Sequence, residues 1–348
     1  MSKQWIAVVG LALIAVGAGV SPLAGQAVPE LVPNKVFELA PPTPPPGYPD
    51  KSPVISSLAV DVGGGLFITA GDDHRVRIWN ADGTLKHTLI GHTDWVRAAA
   101  LRPDGRLLAT AGDDRQIRYW DVTSGQFLRT LTQQSHSIRA LSFSFDGRTL
   151  AAAGFGDKVR LFDGDSGELL RELDAPGSDI RAVAFSPDGK HLSAAGRKGV
   201  IRTWDAASGA QTADYAGSRC ICAIGYSPDG RLLAAGGEAR TVHLWDTTTG
   251  KPAADLPAQP GSIFVLAFCG SDVLAAGGSG NAIHLWDLGS KQELCRLVGH
   301  TGSVATLVWN ATAGTLYSGG FDCTVRTWQF KGNGEEKLSR RYGRSTAR

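Results

Sequence analysis

The chain has 348 residues, of which 43% are hydrophobic and 20% are charged. Its 35 basic and 33 acidic side chains leave a formal charge of +2, a balance that argues against a strongly basic, nucleic-acid-binding surface. The 5 cysteines match neither the spacing of a zinc site nor that of a haem attachment motif, and their odd number leaves at least one thiol unpaired.

The N-terminal segment differs in composition from the rest of the chain. Residues 5–20 form an uncharged, mostly apolar run, which is shorter than the roughly 20 residues of a membrane-spanning helix. Small residues at Gly25 and Ala27 occupy the positions that a signal peptidase reads. We expect residues 1–27 to be a cleaved export signal, which would place the protein in the periplasm or cell envelope. The alternative is an uncleaved membrane anchor.

Residues 28–53 are rich in proline and are typical of a stiff, extended connector. Inside this connector, the sequence KVFELAPP is similar to LLRELDAP at Leu169–Pro176. This similarity predicts a strand at Lys35–Ala40. A second candidate for an additional strand near the chain ends is Glu335–Ser339.

The segment after the connector repeats itself. The stretch AGDDRQIRYWD, which ends at Asp121, recurs with changes in seven copies. The aromatic residue near the end of each copy lies at Trp79, Trp120, Phe162, Trp204, Trp245, Trp286 and Trp328, so that successive copies are 41 or 42 residues apart. A repeat of this length predicts one supersecondary unit per copy.

Each copy predicts four short strands. In the second copy, an apolar run at Val96–Leu101 precedes a Pro-Asp-Gly turn, and Leu107–Thr110 follows that turn. Gln116–Trp120 alternates polar and apolar residues, and Gln126–Leu131 follows a second turn. A single four-stranded unit cannot bury both of its faces, so neighbouring units must cover one another.

These repeats resemble the WD-repeat β-propeller family, in a form that the N-terminal segment marks as a bacterial exported type. The resemblance covers residues 55–330 and implies an all-β fold, a seven-bladed β-propeller of four-stranded antiparallel blades. We therefore expect one domain at residues 54–330 and a basic tail at 331–348. In this family an N-terminal strand commonly closes the ring by joining the last blade, and we expect Lys35–Ala40 to do so, with Glu335–Ser339 as the alternative.

The resemblance also implies a hydrogen-bond relay inside a blade, from a Trp indole to a hydroxyl, a His and an Asp. Two blades carry the complete set, namely His92, Thr110, Asp114 and Trp120 in the second blade and His300, Ser318, Asp322 and Trp328 in the seventh. The four middle blades have alanine at the hydroxyl position, at Ala152, Ala194, Ala235 and Ala276. We expect those blades to depend on apolar packing instead.

No motif for a catalytic nucleophile, a phosphate-binding loop or a metalloprotease helix is present in the sequence. GDSGE at Gly164–Glu168 resembles a protease motif, but it occupies the turn before an outer strand. We therefore predict no enzyme activity and no catalytic, cofactor-binding or metal-binding residues. The family resemblance implies a non-catalytic scaffold for protein partners, without nucleic acid, and with membrane contact only through an uncleaved N-terminus. The alternative is a catalytic or ligand-sensing propeller with a site at the central channel.

Propellers of this family often bind partners through their narrow face, where the loops before each first strand surround the channel. Arg97, Arg139 and Arg181 occupy equivalent positions there on three consecutive blades, with Trp95 beside the first. Arg and Trp are enriched at binding hot spots, and Arg suits carboxylates. We predict that this narrow-face arc, with Phe264 as a second apolar anchor, binds an acidic peptide segment of a protein partner. The alternative is that these arginines are only solvated.

Overall fold

The computed structural model describes residues 30–38, 53–131 and 134–331. The predicted export signal, most of the connector and the tail from residue 332 lie outside the described residues, and so does Glu335–Ser339. Over the described ranges, the structure contains no helix of the length and apolar character needed to cross a membrane.

Strand β1 spans Glu30–Glu38, and the blades follow it in chain order. Blade 1 contains β2 (Ile55–Val60), β3 (Leu66–Gly71), β4 (Arg75–Asn80) and β5 (Leu85–Ile90), and blade 2 contains β6 (Val96–Leu101), β7 (Leu107–Gly112), β8 (Ile117–Asp121) and β9 (Phe127–Thr130). Blade 3 contains β10 (Ile138–Phe143), β11 (Thr149–Gly154), β12 (Lys158–Asp163) and β13 (Leu169–Asp174), and blade 4 contains β14 (Ile180–Phe185), β15 (His191–Gly196), β16 (Val200–Asp205) and β17 (Gln211–Ala216). Blade 5 contains β18 (Ile221–Tyr226), β19 (Leu232–Gly237), β20 (Val242–Asp246) and β21 (Pro252–Leu256), and blade 6 contains β22 (Ile263–Phe268), β23 (Val273–Gly278), β24 (Ile283–Asp287) and β25 (Gln292–Leu297). Blade 7 contains β26 (Val304–Asn310), β27 (Thr315–Gly320) and β28 (Thr324–Lys331), together with β1.

The strands form seven antiparallel sheets of four. The first strand of each blade contacts the first strand of the next, and β2 contacts β26, so these strands form a closed inner ring. Closure leaves only the outer strand of each blade as an edge. The predicted seven-bladed all-β propeller is confirmed.

Both ends of the described chain build blade 7. Strand β1 lies outermost and pairs antiparallel with β28, from Glu30 opposite Lys331 to Glu38 opposite Thr324. Residues 35–38 of the predicted strand lie in β1, which begins earlier than the sequence predicted. The Phe37 ring lies 5.2 Å from the Phe67 ring of blade 1, so β1 also contacts the neighbouring blade.

The core consists of apolar layers between adjacent blades. Between blades 3 and 4, for example, Leu161 and Leu173 of one sheet pack with Phe185, Leu192 and Trp204 of the next. The second strands of blades 2, 6 and 7 are buried throughout and contain several small residues. Small side chains there let the flat faces of adjacent sheets approach closely, as the dense packing of a protein interior requires.

Candidate partner-binding site on the narrow face

A glycine at the end of each second strand positions the loops of the narrow face. A Cβ atom on Gly112 would lie 1.9 Å from the carbonyl oxygen of Trp95, so only glycine allows this approach. That carbonyl accepts a hydrogen bond from the Asp113 backbone N–H at 2.9 Å. Equivalent bonds recur in other blades, such as Phe155 N to Ser137 O. The close approach therefore brings Trp95, the residue before the inner strand, beside Asp113, the first residue of the turn after the second strand.

The predicted relay residues of blade 2 form a continuous chain of hydrogen bonds. Trp120 Nε1 donates to Thr110 Oγ1 at 2.8 Å, and the same hydroxyl is 2.8 Å from His92 Nε2. His92 Nδ1 lies 2.7 Å from the Asp114 carboxylate, which also accepts the backbone N–H of Gln116. Because the His92 and Asp114 side chains are each only 1% exposed, water cannot replace these bonds.

Blade 7 brings its four predicted relay residues together in the same way. Trp328 Nε1 donates to Ser318 Oγ at 2.9 Å, and His300 bridges that hydroxyl and Asp322 at 2.7 and 2.8 Å. Burial raises the pKa of Asp322, but the hydrogen bond and charge of His300 outweigh it and lower the pKa to about 2. Burial likewise raises the pKa of Asp114, but the hydrogen bond and charge of His92 lower it overall. Both carboxylates join the turn after the second strand of their blade to the loop before its inner strand.

The blades without a full relay differ from one another. In blade 1, Trp79 Nε1 donates to Thr69 Oγ1 at 2.9 Å, while Asp73 pairs with Arg77. In blade 6, Trp286 Nε1 is buried without an acceptor among the described residues.

Blade 4 shows that the expectation of purely apolar packing in the middle blades is incomplete. Its buried Ser193 hydroxyl bonds Thr203 Oγ1 at 2.7 Å and the Tyr226 hydroxyl of blade 5 at 2.6 Å. Sequence reasoning missed this network because its members occupy positions outside the relay pattern.

The first arginine of the narrow-face arc is already paired within its own blade. Arg97 donates from Nε and Nη2 to one oxygen of Asp113, at 2.8 and 2.6 Å. Its guanidinium also lies 4.2 Å from the centre of the Trp95 ring, a cation–π distance. Trp95 remains 37% exposed. The turn carboxylate therefore neutralises this arginine, while the aromatic surface beside it remains accessible.

The third arginine, Arg181, is paired as well, but with a carboxylate from a different position. It donates to both oxygens of Asp179, at 3.4 and 3.2 Å, and lies 3.6 Å from the Cys222 sulfur. Burial acts to lower the pKa of Arg181, but the bonds with Asp179 and Cys222 raise it overall. Asp179 precedes the inner strand, whereas Asp113 follows the second strand. Two sequence-equivalent arginines are thus neutralised by carboxylates that are not equivalent.

The middle arginine, Arg139, has no ion pair within the described part of the chain. Its guanidinium lies 4.7 Å from the centre of the Phe155 ring, and its buried Nε has no acceptor among the residues that the structure describes. Burial lowers the pKa of Arg139, and the positive charges of Arg97 and Arg181 add to that effect, while the carboxylates of Asp113 and Asp179 oppose it. Arginine stays protonated under all ordinary conditions, so a positive charge remains at this point.

The arc therefore carries one uncompensated positive charge at its centre. Phe155, which is 39% exposed, belongs to the site, although sequence reasoning missed it. A signal was present, because Phe155 occupies the position that holds Asp113 in blade 2. Phe264 lies in the inner strand of blade 6, two blades beyond Arg181, and is half-buried. The structure therefore does not bring it next to the arginines.

Among the described residues, no group of three or more His, Cys, Asp or Glu side chains is arranged to hold a metal ion. The Asp163 carboxylate, directly before the protease-like GDSG sequence, accepts a hydrogen bond from the backbone N–H of Ser166 at 2.7 Å. This bond closes a turn.

Seven four-stranded blades joined in a ring, two of them with the indole–hydroxyl–imidazole–carboxylate relay, define a WD-repeat β-propeller. The family model described as IFT122 first beta-propeller matches residues 54–251, which is more than half of the chain. The chain belongs to that family. The model described as WD domain, G-beta repeat matches residues 291–329. WD-repeat propellers generally act as scaffolds for protein partners and are typically non-enzymatic.

Proposed function

We propose that this protein is a non-catalytic scaffold that binds an acidic segment of a protein partner at the narrow-face arc. The observation that carries the proposal is the state of Arg139, a half-buried guanidinium without a carboxylate partner among the described residues. A carboxylate from another molecule would supply the missing charge and could accept two parallel hydrogen bonds.

The surroundings of Arg139 fit a binding site better than an ordinary solvated surface. Phe155 and Trp95 are more than a third exposed on the same face, on the same and the preceding blade. Arginine flanked by aromatic side chains is the composition typical of interface hot spots. The Arg97–Asp113 and Arg181–Asp179 pairs lie on either side, and such partly exposed pairs contribute little stability, which leaves them able to rearrange around a partner.

We also propose that the scaffold works outside the cytoplasm, in the periplasm or cell envelope. Support comes from the apolar run at residues 5–20 and the small residues at Gly25 and Ala27. N-terminal sequencing of the protein from fractionated host cells tests this, and the expected mature chain starts at Val28. An intact N-terminus in the cytoplasmic fraction would contradict export, and an intact N-terminus in the membrane fraction would indicate the anchor.

The binding proposal is tested by affinity capture from the native host, followed by mass spectrometry. Wild-type protein is compared with Trp95→Ala, Arg139→Ala and the triple Arg97/Arg139/Arg181→Ala variant, after circular dichroism has shown that each folds. Arg148→Ala is the matched control, because Arg148 is an exposed arginine in the turn at the other end of the inner strand of blade 3.

We expect the same partner with wild type and with the Arg148 control, and its loss with the arc variants. Full capture by both Trp95→Ala and the triple variant would exclude the arc and would make the outer edges of the blades the better candidates.

A further inference from the structure

Blade 3 contains a hollow at the place where blade 2 has its relay. In blade 2, the relay residue Thr110 of β7 lies opposite Arg118 of β8. In blade 3, Ala152 of β11 lies opposite Arg160 of β12 in the same way, so an alanine replaces the relay threonine. Gly156 takes the position of the relay aspartate. The loss of both side chains leaves a shallow hollow that is open to solvent, which Ala152 and Gly156 help to line.

The remaining lining of this hollow is polar and basic. Gln134 stands at the position of the relay histidine, and its Oε1 accepts a hydrogen bond from Arg160 at 2.9 Å. His136 and Lys158 also line the hollow, and no carboxylate is among its described lining residues. The partners of Arg160 and Lys158 are Glu172 and Asp174, whose side chains are 40% and 82% exposed, so water screens these pairs.

The position of the absent carboxylate lies beside two nitrogen atoms, one of which, His136 Nδ1, also hydrogen-bonds the Ser135 hydroxyl at 2.9 Å. A Cβ atom on Gly156 would be 3.3 Å from His136 Nδ1 and 3.9 Å from the backbone nitrogen of Lys158. In blade 2, the equivalent backbone nitrogen, that of Gln116, donates to the Asp114 carboxylate at 3.1 Å. The backbone nitrogen that helps to hold the carboxylate in blade 2 thus has an equivalent in blade 3, where Gln134 replaces the relay histidine and no carboxylate is among the described lining residues.

The hollow adjoins the centre of the narrow-face arc. Ile138 and Gly154 line it, and they directly precede Arg139 and Phe155. We infer that the hollow of blade 3 receives an acidic side chain of the partner, whose carboxylate takes the place of the missing relay aspartate. This inference rests on the proposed function and adds the point of insertion: the partner segment crosses Arg139 and Phe155 and places one Asp or Glu between His136 and Lys158.

The test is the binding of fluorescein-labelled hexaglutamate to the full chain, measured by fluorescence anisotropy at low salt, with labelled hexaglutamine as the neutral probe. Gly156→Asp provides the missing carboxylate from the chain itself. Its backbone is outside the left-handed region, and the exposed His136 ring can move aside. Gly156→Asn has the same shape without the charge. Gly280→Asp places the same charge at the matched position of blade 6, where a Cβ meets only ordinary contacts.

Because loss of one charge-assisted contact corresponds to about tenfold in affinity, Gly156→Asp should weaken hexaglutamate binding by at least about tenfold. Gly156→Asn fills the same place without the charge and should weaken binding by about threefold or more, whereas Gly280→Asp should stay within about threefold of wild type. Ala152→Val has the shape of the blade 2 threonine and fills part of the hollow without charge, so it should also weaken binding, by about threefold or more. This neutral variant separates insertion into the hollow from simple charge repulsion.

The outcomes distinguish this inference from the proposed function. If Arg139→Ala abolishes binding while Gly156→Asp and Ala152→Val bind as wild type does, the hollow is excluded and the arc remains. If wild-type protein binds hexaglutamate no better than hexaglutamine, both ideas are wrong. If Gly156→Asp does not fold, Ala152→Val alone decides, and unchanged binding by that variant overturns the inference.

Discussion

Replacement of Asp114 by alanine tests whether the relay of blade 2 stabilises the propeller. The carboxylate accepts hydrogen bonds from His92 Nδ1 at 2.7 Å and from the backbone nitrogens of Gln116 and Thr93 at 3.1 and 3.3 Å. Alanine removes all three bonds and leaves the imidazole buried without its acceptor. Hydrogen bonds to charged groups contribute about 1.5–3 kcal/mol, and an unpaired buried donor costs about 1–3 kcal/mol.

Two of the three bonds are long, so the bond to His92 dominates. We therefore expect Asp114→Ala to lower the free energy of unfolding by about 3 kcal/mol. The measurement is urea unfolding followed by circular dichroism, with the midpoint compared at equal denaturant slope.

Asp113→Ala is the matched control for this experiment. It removes the adjacent carboxylate, whose side chain is 20% exposed and pairs with Arg97 near the surface. Such a pair contributes less than about 1 kcal/mol. Equal urea midpoints for the two variants would refute the reasoning, because the relay would then be worth no more than a surface ion pair.

Three further predictions concern other parts of the propeller. Burial raises the pKa of Asp322, but its partner His300 lowers it to about 2, below the ordinary value of 3.8. The ionised carboxylate therefore stabilises the fold by about 2 kcal/mol above pH 4, and this stabilisation is lost as the pH falls toward 2. Urea midpoints measured across this pH range test the loss. Ala276→Ser gives the buried Trp286 indole an acceptor and should raise stability by about 1 kcal/mol in thermal melts. Gly112→Ala sets a Cβ against the Trp95 carbonyl and should cost about 3 kcal/mol or more, or prevent folding.

Each of these predictions has a control within the same chain. Asp322→Asn should flatten the acid dependence, and an unchanged slope would contradict the assignment. Ala275→Ser places a hydroxyl on the opposite side of the same buried strand and should destabilise, so equal effects at Ala275 and Ala276 would exclude the indole as the cause. Gly105→Asn lies in an open turn at φ +72° and should be tolerated, unlike Gly112→Ala.

The sequence by itself determined the number and type of blades. The spacing of the seven aromatic residues and the Pro-Asp-Gly turns are local features, and each blade is a local unit of four consecutive strands, apart from blade 7. For the same reason, the relay members of blades 2 and 7 could be named from residue identity at fixed offsets. The start of β1 at Glu30 could not, because proline and polar residues there give no alternation, and the pairing with β28 joins opposite ends of the chain.

Only the tertiary structure decided the charge of the narrow face. Arg97, Arg139 and Arg181 are equivalent in sequence, yet Asp113 neutralises the first, Asp179 neutralises the third, and the middle one stacks on Phe155. These partners come from different loops, and their distances from the arginines depend on how closely the glycine at the end of each second strand lets the loops approach. Electrostatic energy depends on such distances and on burial, which no repeat pattern contains.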